Sequence, residues 1–229
     1  MRNGSPALML FAAGLGRRMA PLTDTRPKPL IPVAGRPLID HALALARDVG
    51  IGRVVVNTHY LAEMLAAHLA DSGATLIHEP VLLETGGGLR NAVPLLGDGP
   101  VLTLNSDALW QGKNPLQSLI SAWEPARMEA LLLLCPKDRA VGHPGKGDFS
   151  IDAEGRLSRG GDLIYTGAQM TRTDRLSSVP DAAFSLNRVW DMMMESGSLY
   201  GTLHPGRWSD VGRPEGIALA EAMLEAADV

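Results

Sequence analysis

Up to Cys135, short apolar runs alternate with segments of helical periodicity. In chain order we predict strand 7–12, helix 38–49, strand 53–57, helix 61–70, strand 75–77, helix 89–96 and strands 100–104 and 130–135. Pro37 in the first turn and Gly50 after the last apolar position mark the ends of the first helix. This alternation predicts an α/β fold with a mostly parallel, doubly wound sheet that carries helices on both faces.

After Pro136 the pattern changes to short strands separated by turns. The predicted elements are strand 148–152, turn 153–155, a short strand at 156–157, strands 163–170 and 198–203, and an amphipathic helix at 214–227. We expect these strands to form a smaller antiparallel part beside the parallel sheet. Because the sequence contains no linker or repeat, we predict a single domain over 1–229, with halves at about 1–136 and 137–229.

The segment LFAAGLGRRMAPLTDTRPKPL at 10–30 leads from the first strand into a glycine turn. Gly14 and Gly16 allow the backbone to turn tightly and to bring its amides close to an anionic ligand. Arg17 and Arg18 add forked donors that suit phosphate. Lys28 stands between two prolines, which stiffen the backbone and lower the cost of ordering its ammonium group. The combination favours a triphosphate site over a glycine turn with solvated arginines.

Two other glycine-loop motifs do not fit this segment. Met19 stands where a dinucleotide-binding fingerprint has its third small residue. No lysine of the chain is followed by serine or threonine, as the P-loop motif requires. The sequence therefore disfavours both a nicotinamide-dependent dehydrogenase and a P-loop kinase.

Charge and hydropathy limit the class of partner. The formal net charge is -4, and the lysines are few, namely Lys28, Lys113, Lys137 and Lys146. A surface that binds a polyanion needs more basic residues, so we predict no nucleic-acid partner. No apolar run approaches the roughly twenty residues of a membrane span, and the first apolar run continues into the glycine turn. We therefore predict a cytoplasmic protein that has no membrane partner.

Several motifs together identify a family resemblance. GLGRRMAPLTDTRPKPL at 14–30 resembles the signature of the sugar-1-phosphate nucleotidyltransferases. The resemblance continues in four further motifs: VAGRPLIDHAL at 33–43, LETGGGL at 83–89, LNSDAL at 104–109 and WSDVGRPE at 208–215. Within that family, HPGKGDF at 143–149 and ETGGG are most similar to uridylyltransferases that act on N-acetylmuramic acid 1-phosphate in peptidoglycan sugar recycling. The resemblance implies a Rossmann-like sheet of the nucleotidyltransferase type and a sugar-binding second half.

The resemblance also implies the nucleotide site. Catalytic roles would fall to Arg18, Lys28 and Asp107. The nucleotide would be bound by Ala12, Ala13, Gly14, Gly16, Arg17, Arg18, Lys28, Glu79, Thr85, Gly86, Gly87 and Asn105. We expect ETGGG at 84–88 to be a loop ahead of the helix at 89–96, whose glycines let the backbone lie against the base.

Two aspartates follow predicted strands in positions that suit a metal ion. Asp107 comes just after strand 100–104, where open α/β sheets bind their ligands, and Asp210 lies in WSDVG. Mg²⁺ is commonly held by one or two carboxylates together with substrate phosphates and water. The resemblance implies that Asp107 and Asp210 hold Mg²⁺, whereas an isolated Asp107 would more simply be a helix cap or turn residue.

The second substrate would be a sugar 1-phosphate. Many members of the family bind its phosphate with a lysine in an E-K-P motif, which is absent between 155 and 167. We predict Lys146 as the replacement, with Arg156 and Arg159 as rivals. By resemblance Gly167 contacts the sugar, and Asp148 is a candidate hydrogen-bond partner for a hydroxyl group.

These residues predict an enzyme that makes a nucleotide sugar and pyrophosphate from a nucleoside triphosphate and a sugar 1-phosphate. UTP with N-acetylmuramic acid 1-phosphate is the favoured pair. GTP with mannose 1-phosphate, or CTP with an alcohol phosphate, are alternatives, because a few contacts decide the choice of base. A non-catalytic nucleotide-sugar sensor is a further alternative, although such a protein has no need of both metal carboxylates.

Overall fold

The computed structural model describes residues 5–226. Its strands are β1 (Leu8–Phe11), β2 (Pro32–Val33), β3 (Arg36–Pro37), β4 (Val54–Thr58), β5 (Thr75–His78), β6 (Val101–Asn105), β7 (Ala108–Gln111), β8 (Ala130–Pro136), β9 (Ala140–Val141), β10 (Phe149–Ile151), β11 (Leu157–Arg159), β12 (Leu163–Thr171), β13 (Leu199–Leu203) and β14 (Arg207–Asp210). Its α-helices are α1 (Leu38–Asp48), α2 (Ala62–Leu69), α3 (Glu84–Leu96), α4 (Pro115–Ala122), α5 (Asn187–Glu195) and α6 (Glu215–Glu225).

The main sheet has nine strands. Seven follow the order β11-β10-β12-β6-β1-β4-β5, while β8 pairs with the other edge of β12 and with β13. Strands β6, β1, β4 and β5 are mutually parallel, and β12 is antiparallel to β6. The predicted parallel sheet is confirmed in this central part, and its strand ends converge on one edge, where α/β folds bind ligands.

Helices cover both faces of this sheet, as the alternation predicts. Leu8 and Leu10 of β1 point to a core shared with α1, α2 and α4. Met9, between them, points to a second core shared with α3 and α5. Because successive side chains of a strand point to opposite faces, one continuous apolar run supplies both cores.

The second half contains the predicted antiparallel strands but differs in detail. Strand β10 is antiparallel to β11 and β12, and β12 is antiparallel to β8, whereas β13 runs parallel to β8. Strand β14 joins a separate three-stranded sheet between β7 and β9. Its Trp208 lies opposite Trp110 and packs with Cys135 and Ile164, so burial of this apolar cluster draws β14 to the first half. The Cys135 thiol is buried.

Helices α4 and α5 have no counterpart among the predicted helices. Helix α4 was not predicted, although Asn114 caps it by accepting hydrogen bonds from the N–H groups of Leu116 and Gln117. Helix α6 begins close to the predicted position, and the predicted end at Ala227 lies outside the described residues. Among residues 5–226, no helix combines the length and apolar character needed to cross a membrane.

Candidate active site

A cleft of about 240 Å³ opens at the carboxyl ends of β1, β4, β5 and β6, and we call it the strand-end cleft. It is lined by Phe11, Ala12, Ala13, Gly14, Lys28, Pro29, Asn57, Glu79, Leu82, Glu84, Thr85, Asn105, Ser106 and Asp107. Many predicted nucleotide-site residues are therefore brought together. Gly16, Arg17, Arg18, Gly86 and Gly87 lie outside this lining.

The glycine turn combines an open position with a crowded one. Gly14 lines the cleft, and a Cβ built on it meets no described atom within 4 Å. Gly16 has φ +62°, and a Cβ there would lie 2.8 Å from Thr23 Cγ2 and 3.0 Å from Lys28 Cβ. The Thr23 hydroxyl also donates to the Gly16 carbonyl over 3.1 Å. Gly16 therefore lets the turn pack closely against the segment that carries Lys28.

Lys28 and Asp107 form an ion pair at the rim of the strand-end cleft. The Lys28 Nζ donates to Asp107 Oδ2 over 2.5 Å, and the side chains are 13% and 27% exposed. The Lys28 segment is a short 3-10 turn that begins after the extended Pro27. The ammonium group is thus held beside a carboxylate, in a position from which it can also meet a bound phosphate.

Asp210 reaches the same place from β14. Its backbone lies opposite Ala108 in the antiparallel pair with β7, and the Val211 N–H donates to the Asp107 carbonyl over 3.0 Å. A Cβ on Gly212 would lie 3.2 Å from both Asp210 carboxylate oxygens and 3.3 Å from Arg18 Nη2. The strand pairing therefore brings Asp107 and Asp210 together, and Arg18 borders Asp210 from outside the cleft.

The electrostatics of this cluster suit a divalent cation. Burial raises the pKa of the Asp210 carboxyl, and the Asp107 carboxylate raises it further. Lys28, Arg18 and His143 lower it without reversing the shift. Two neighbouring carboxylates whose repulsion is only partly offset are a donor set that Mg²⁺ prefers. Within residues 5–226, no three His, Cys, Asp or Glu side chains group as a metal cluster.

A buried polar network supports the floor of the strand-end cleft. Asn57 Oδ1 accepts from the Ala12 N–H over 2.8 Å, and Asn57 Nδ2 donates to Glu79 Oε1 over 2.7 Å. Glu79 Oε2 accepts from the Leu83 N–H over 3.1 Å, so both carboxylate oxygens have protein partners. Glu79 therefore lies in the predicted site, where it fixes Asn57 and the chain leading into α3.

The expectation of a loop at ETGGG is wrong, because all five residues belong to α3. The Gly86 and Gly87 N–H groups donate to the Phe184 carbonyl, which satisfies amides of the first turn. Because these glycines have no side chains, segment 182–184 can pack directly against the helix. A Cβ on Gly86 would lie 2.4 Å from the Phe184 ring, and one on Gly87 2.4 Å from the Ala182 carbonyl oxygen. This tertiary packing outweighs the low helix propensity of glycine.

We expect Gly87→Ala to destabilise the protein by about 1–3 kcal/mol, the usual cost of overpacking. The added methyl group would meet backbone rather than a flexible side-chain end. Thermal unfolding measures the effect. Gly52→Ala is the matched control, since no described atom lies within 4 Å of a Cβ at that position. Equal unfolding temperatures for the two variants would contradict the packing role of Gly87.

A second pocket adjoins the strand-end cleft, and we call it the α5 pocket. It is lined by Phe11, Thr85, Asn105, Asp148, Phe149, Arg159, Tyr165, Ser185, Leu186, Asn187 and Trp190. Phe11, Thr85 and Asn105 line both spaces. Gly167 has φ +81°, and a Cβ there would lie 2.7 Å from Asn105 Nδ2, so this glycine makes room for Asn105 between the two spaces.

The structure separates the candidates for the second substrate. Asp148 lines the α5 pocket, where its Oδ2 accepts from the Tyr165 N–H over 2.8 Å. Arg159 lines the same pocket, whereas Lys146 and Arg156 are exposed outside both linings. The backbone of Arg156 forms an isolated antiparallel β-bridge with that of Tyr200 on β13.

Three residues that line the strand-end cleft or the α5 pocket were not predicted from the sequence as site residues. Asn57 has a signal, because it is a polar residue at the end of the apolar run RVVVNT. Trp190 forms the wall of the α5 pocket, where its Nε1 donates to Gln169 Oε1 over 2.9 Å. Asn187, at the start of α5, carries no distinguishing signal.

Comparison with known proteins agrees with this arrangement. The model of the MobA-like NTP transferase domain matches residues 8–153. N-acetylmuramate alpha-1-phosphate uridylyltransferase of Caulobacter vibrioides is 36% identical over 98% of this chain and 99% of its own length. The enzyme of the same name from Neisseria meningitidis is 32% identical over 95% of this chain and 98% of its own length.

Fold comparison gives the same architecture. A putative glucose-1-phosphate thymidylyltransferase from Bacillus anthracis superposes with a TM-score of 0.81 at 17% identity, covering 97% of this chain and 96% of that chain. The predicted α/β nucleotidyltransferase fold and the family resemblance are both confirmed. The chain belongs to the family of MobA-like NTP transferases and is a nucleotidyltransferase.

Proposed function

We propose that the protein transfers uridylyl from UTP to N-acetylmuramic acid α-1-phosphate, giving the UDP-sugar and pyrophosphate in peptidoglycan sugar recycling. The near full-length similarity to two enzymes of that name supports the substrate pair. The observation that carries the proposal is the junction of the two spaces. Lys28 and Asp107 lie at the rim of the strand-end cleft, and Asn105 lines both this cleft and the α5 pocket.

The acceptor phosphate oxygen attacks the α-phosphorus in line, and the bond from that phosphorus to the pyrophosphate oxygen breaks. No protein nucleophile takes part. Lys28 and Arg18 stabilise the charge that moves to pyrophosphate, and catalysis consists of positioning and charge neutralisation. The triphosphate meets the turn formed by Ala12, Ala13, Gly14, Gly16 and Arg17. Because the Ala12 N–H donates to Asn57, the later amides of the turn and the arginine side chain are its donors.

We propose that Asp107 and Asp210 hold the divalent cation that the family generally uses, and that this ion is Mg²⁺. The bound ion supplies neutralisation of the negative charge on the reacting phosphates. The two carboxylates would hold the ion beside Lys28, and any proton on Asp210 would be released as the ion binds, because carboxylate ligands must be deprotonated.

The base and the acceptor occupy different parts of the site. Thr85, Gly86, Gly87 and Glu79 form or support the α3 side, which we assign to the uracil. The sugar lies in the α5 pocket, beside Asp148 and next to Asn105, which Gly167 accommodates. Lys146 remains our prediction for the acceptor phosphate, since the ring of His143 on the same loop lies 5.9 Å, centre to centre, from that of Trp208 on β14, the strand that carries Asp210.

The two halves work as one domain in this proposal. Strand β14 carries Asp210 into a sheet with β7, so the metal pair joins both halves. We further propose a cytoplasmic location, which suits a protein whose one cysteine is a buried free thiol.

The test is pyrophosphate release from UTP, GTP, CTP, ATP and dTTP, each with Mg²⁺ and a panel of sugar 1-phosphates. We expect the highest kcat/KM with UTP and N-acetylmuramic acid α-1-phosphate, and loss of release in EDTA. Preference for GTP with mannose 1-phosphate would overturn the substrate assignment and keep the chemistry. Nucleotide binding without release across the panel would overturn the enzymatic proposal in favour of a sensor.

A further inference from the structure

Arg159 is the basic side chain that lines the α5 pocket in the described part of the chain. We infer that it determines acceptor specificity by binding the carboxylate of the acceptor sugar. The inference rests on the proposed function, because a muramic acid 1-phosphate carries two anionic groups, the phosphate and the carboxylate of its lactyl ether. A plain N-acetylhexosamine 1-phosphate carries the phosphate alone.

The guanidinium group of Arg159 is held in place on two sides. Its Nε and Nη2 donate to the single oxygen Asp191 Oδ1, over 3.0 and 2.7 Å, and Nη2 also reaches the Asn187 carbonyl over 3.3 Å. Its central carbon lies 4.9 Å from the centre of the Phe149 ring and 5.9 Å from that of Trp190. An arginine that is already ordered loses less entropy when it binds a ligand.

The remaining donor is Nη1, which has no acceptor among residues 5–226. The ion pair with Asp191 therefore leaves part of the planar fork available. A carboxylate is a good partner for this group, because charge-assisted hydrogen bonds from arginine are stronger than neutral ones.

The position of Arg159 assigns it to the carboxylate and not to the phosphate. The reacting phosphates belong beside Lys28 and Asp107, which line the strand-end cleft and not the α5 pocket. Arg159 lines the α5 pocket and not the strand-end cleft. A sugar whose 1-phosphate lies at the junction of these spaces thus presents its ring substituents to Arg159.

The experiment compares two acceptors that differ only at the carboxylate. One is N-acetylmuramic acid α-1-phosphate, and the other is the same compound with the lactyl carboxylate converted to a carboxamide. Steady-state kcat/KM with UTP is measured for the wild type, Arg159→Gln and Arg159→Lys. Arg156→Gln is the matched control, since Arg156 is exposed on the same β-hairpin and lies outside both linings.

We expect Arg159→Gln to lower kcat/KM for the carboxylate acceptor about tenfold or more, which corresponds to the loss of a charge-assisted hydrogen bond. For the carboxamide acceptor, kcat/KM should change little, so that the wild-type preference for the carboxylate acceptor disappears. Arg159→Lys keeps the charge without the fork and should lie between, while Arg156→Gln should retain the wild-type preference. If Arg159 had a purely structural role, its loss would lower kcat/KM equally for both acceptors and leave the ratio of the two values unchanged.

An unchanged acceptor ratio in Arg159→Gln would overturn the inference, whether both rates fall or neither does. Equal use of the two acceptors by the wild type would also overturn it. Failure of the wild type to use either acceptor would refute the proposed substrate, and this outcome is visible before any variant is made.

Discussion

We expect Lys28→Ala to lower kcat by about 10² to 10³, the usual loss when one preorganised donor to a developing negative charge is removed. Lys28 is 13% exposed, and its Nζ lies 2.5 Å from Asp107 Oδ2, so solvent can replace it only poorly. Single-turnover measurement of pyrophosphate release separates this effect from slow product release. Lys113→Ala is the control, because Lys113 is exposed and lies outside both pockets.

The same substitution leaves Asp107 without its cation, next to Asp210. We therefore expect Lys28→Ala also to lower the free energy of unfolding, and addition of Asp107→Asn to restore part of it. The double variant should remain inactive. A wild-type rate in Lys28→Ala would refute the catalytic role, and recovery of activity in the double variant would show that Lys28 acts only by pairing with Asp107.

The sheet and its helices could be predicted because their signals are local. The continuous apolar run of β1 indicates a strand that is buried on both faces, and the periodicity of α1 indicates a helix that is buried on one face. Neither signal depends on residues elsewhere in the chain. The first turn of α3 could not be predicted in this way. Its glycines have low helix propensity, and the turn forms because segment 182–184 packs against it, far along the chain.

The candidate site shows the same division between local and long-range information. Gly14 and Lys28 belong to one contiguous motif, so their convergence at the strand-end cleft was predictable. The approach of Asp210 depends on pairing between β7 and β14, and only the family resemblance joined Asp210 to Asp107 in one metal site. The Lys28–Asp107 ion pair was not predicted, because it joins residues that are distant in the sequence. Arg159 could not be separated from Lys146 by sequence, because both lie in glycine-flanked polar segments.

Asp210 is expected to oppose stability while it supports activity. Burial and the Asp107 charge raise its folded-state pKa above the unfolded value. A group of this kind contributes most to stability below its unfolded pKa, and that contribution is lost as pH rises through the folded pKa. At pH 8 the ionised carboxylate therefore costs stability, about 1.4 kcal/mol for each unit of pKa shift.

Asp210→Asn removes this charge with almost no change of shape. In EDTA at pH 8 we expect a higher Tm than for the wild type, by roughly 2–4 °C per kcal/mol gained, and a smaller difference as pH falls towards 4. Turnover with Mg²⁺ should fall by about 10² or more, because a charged oxygen donor is lost. The exposed Asp71→Asn is the control and should alter neither quantity. An Asp210→Asn variant that is active and no more stable at pH 8 would show that burial of the Asp210 charge costs no stability and that the metal does not need this carboxylate. A gain of stability together with a loss of turnover is the result expected of a carboxylate that serves activity at the expense of stability.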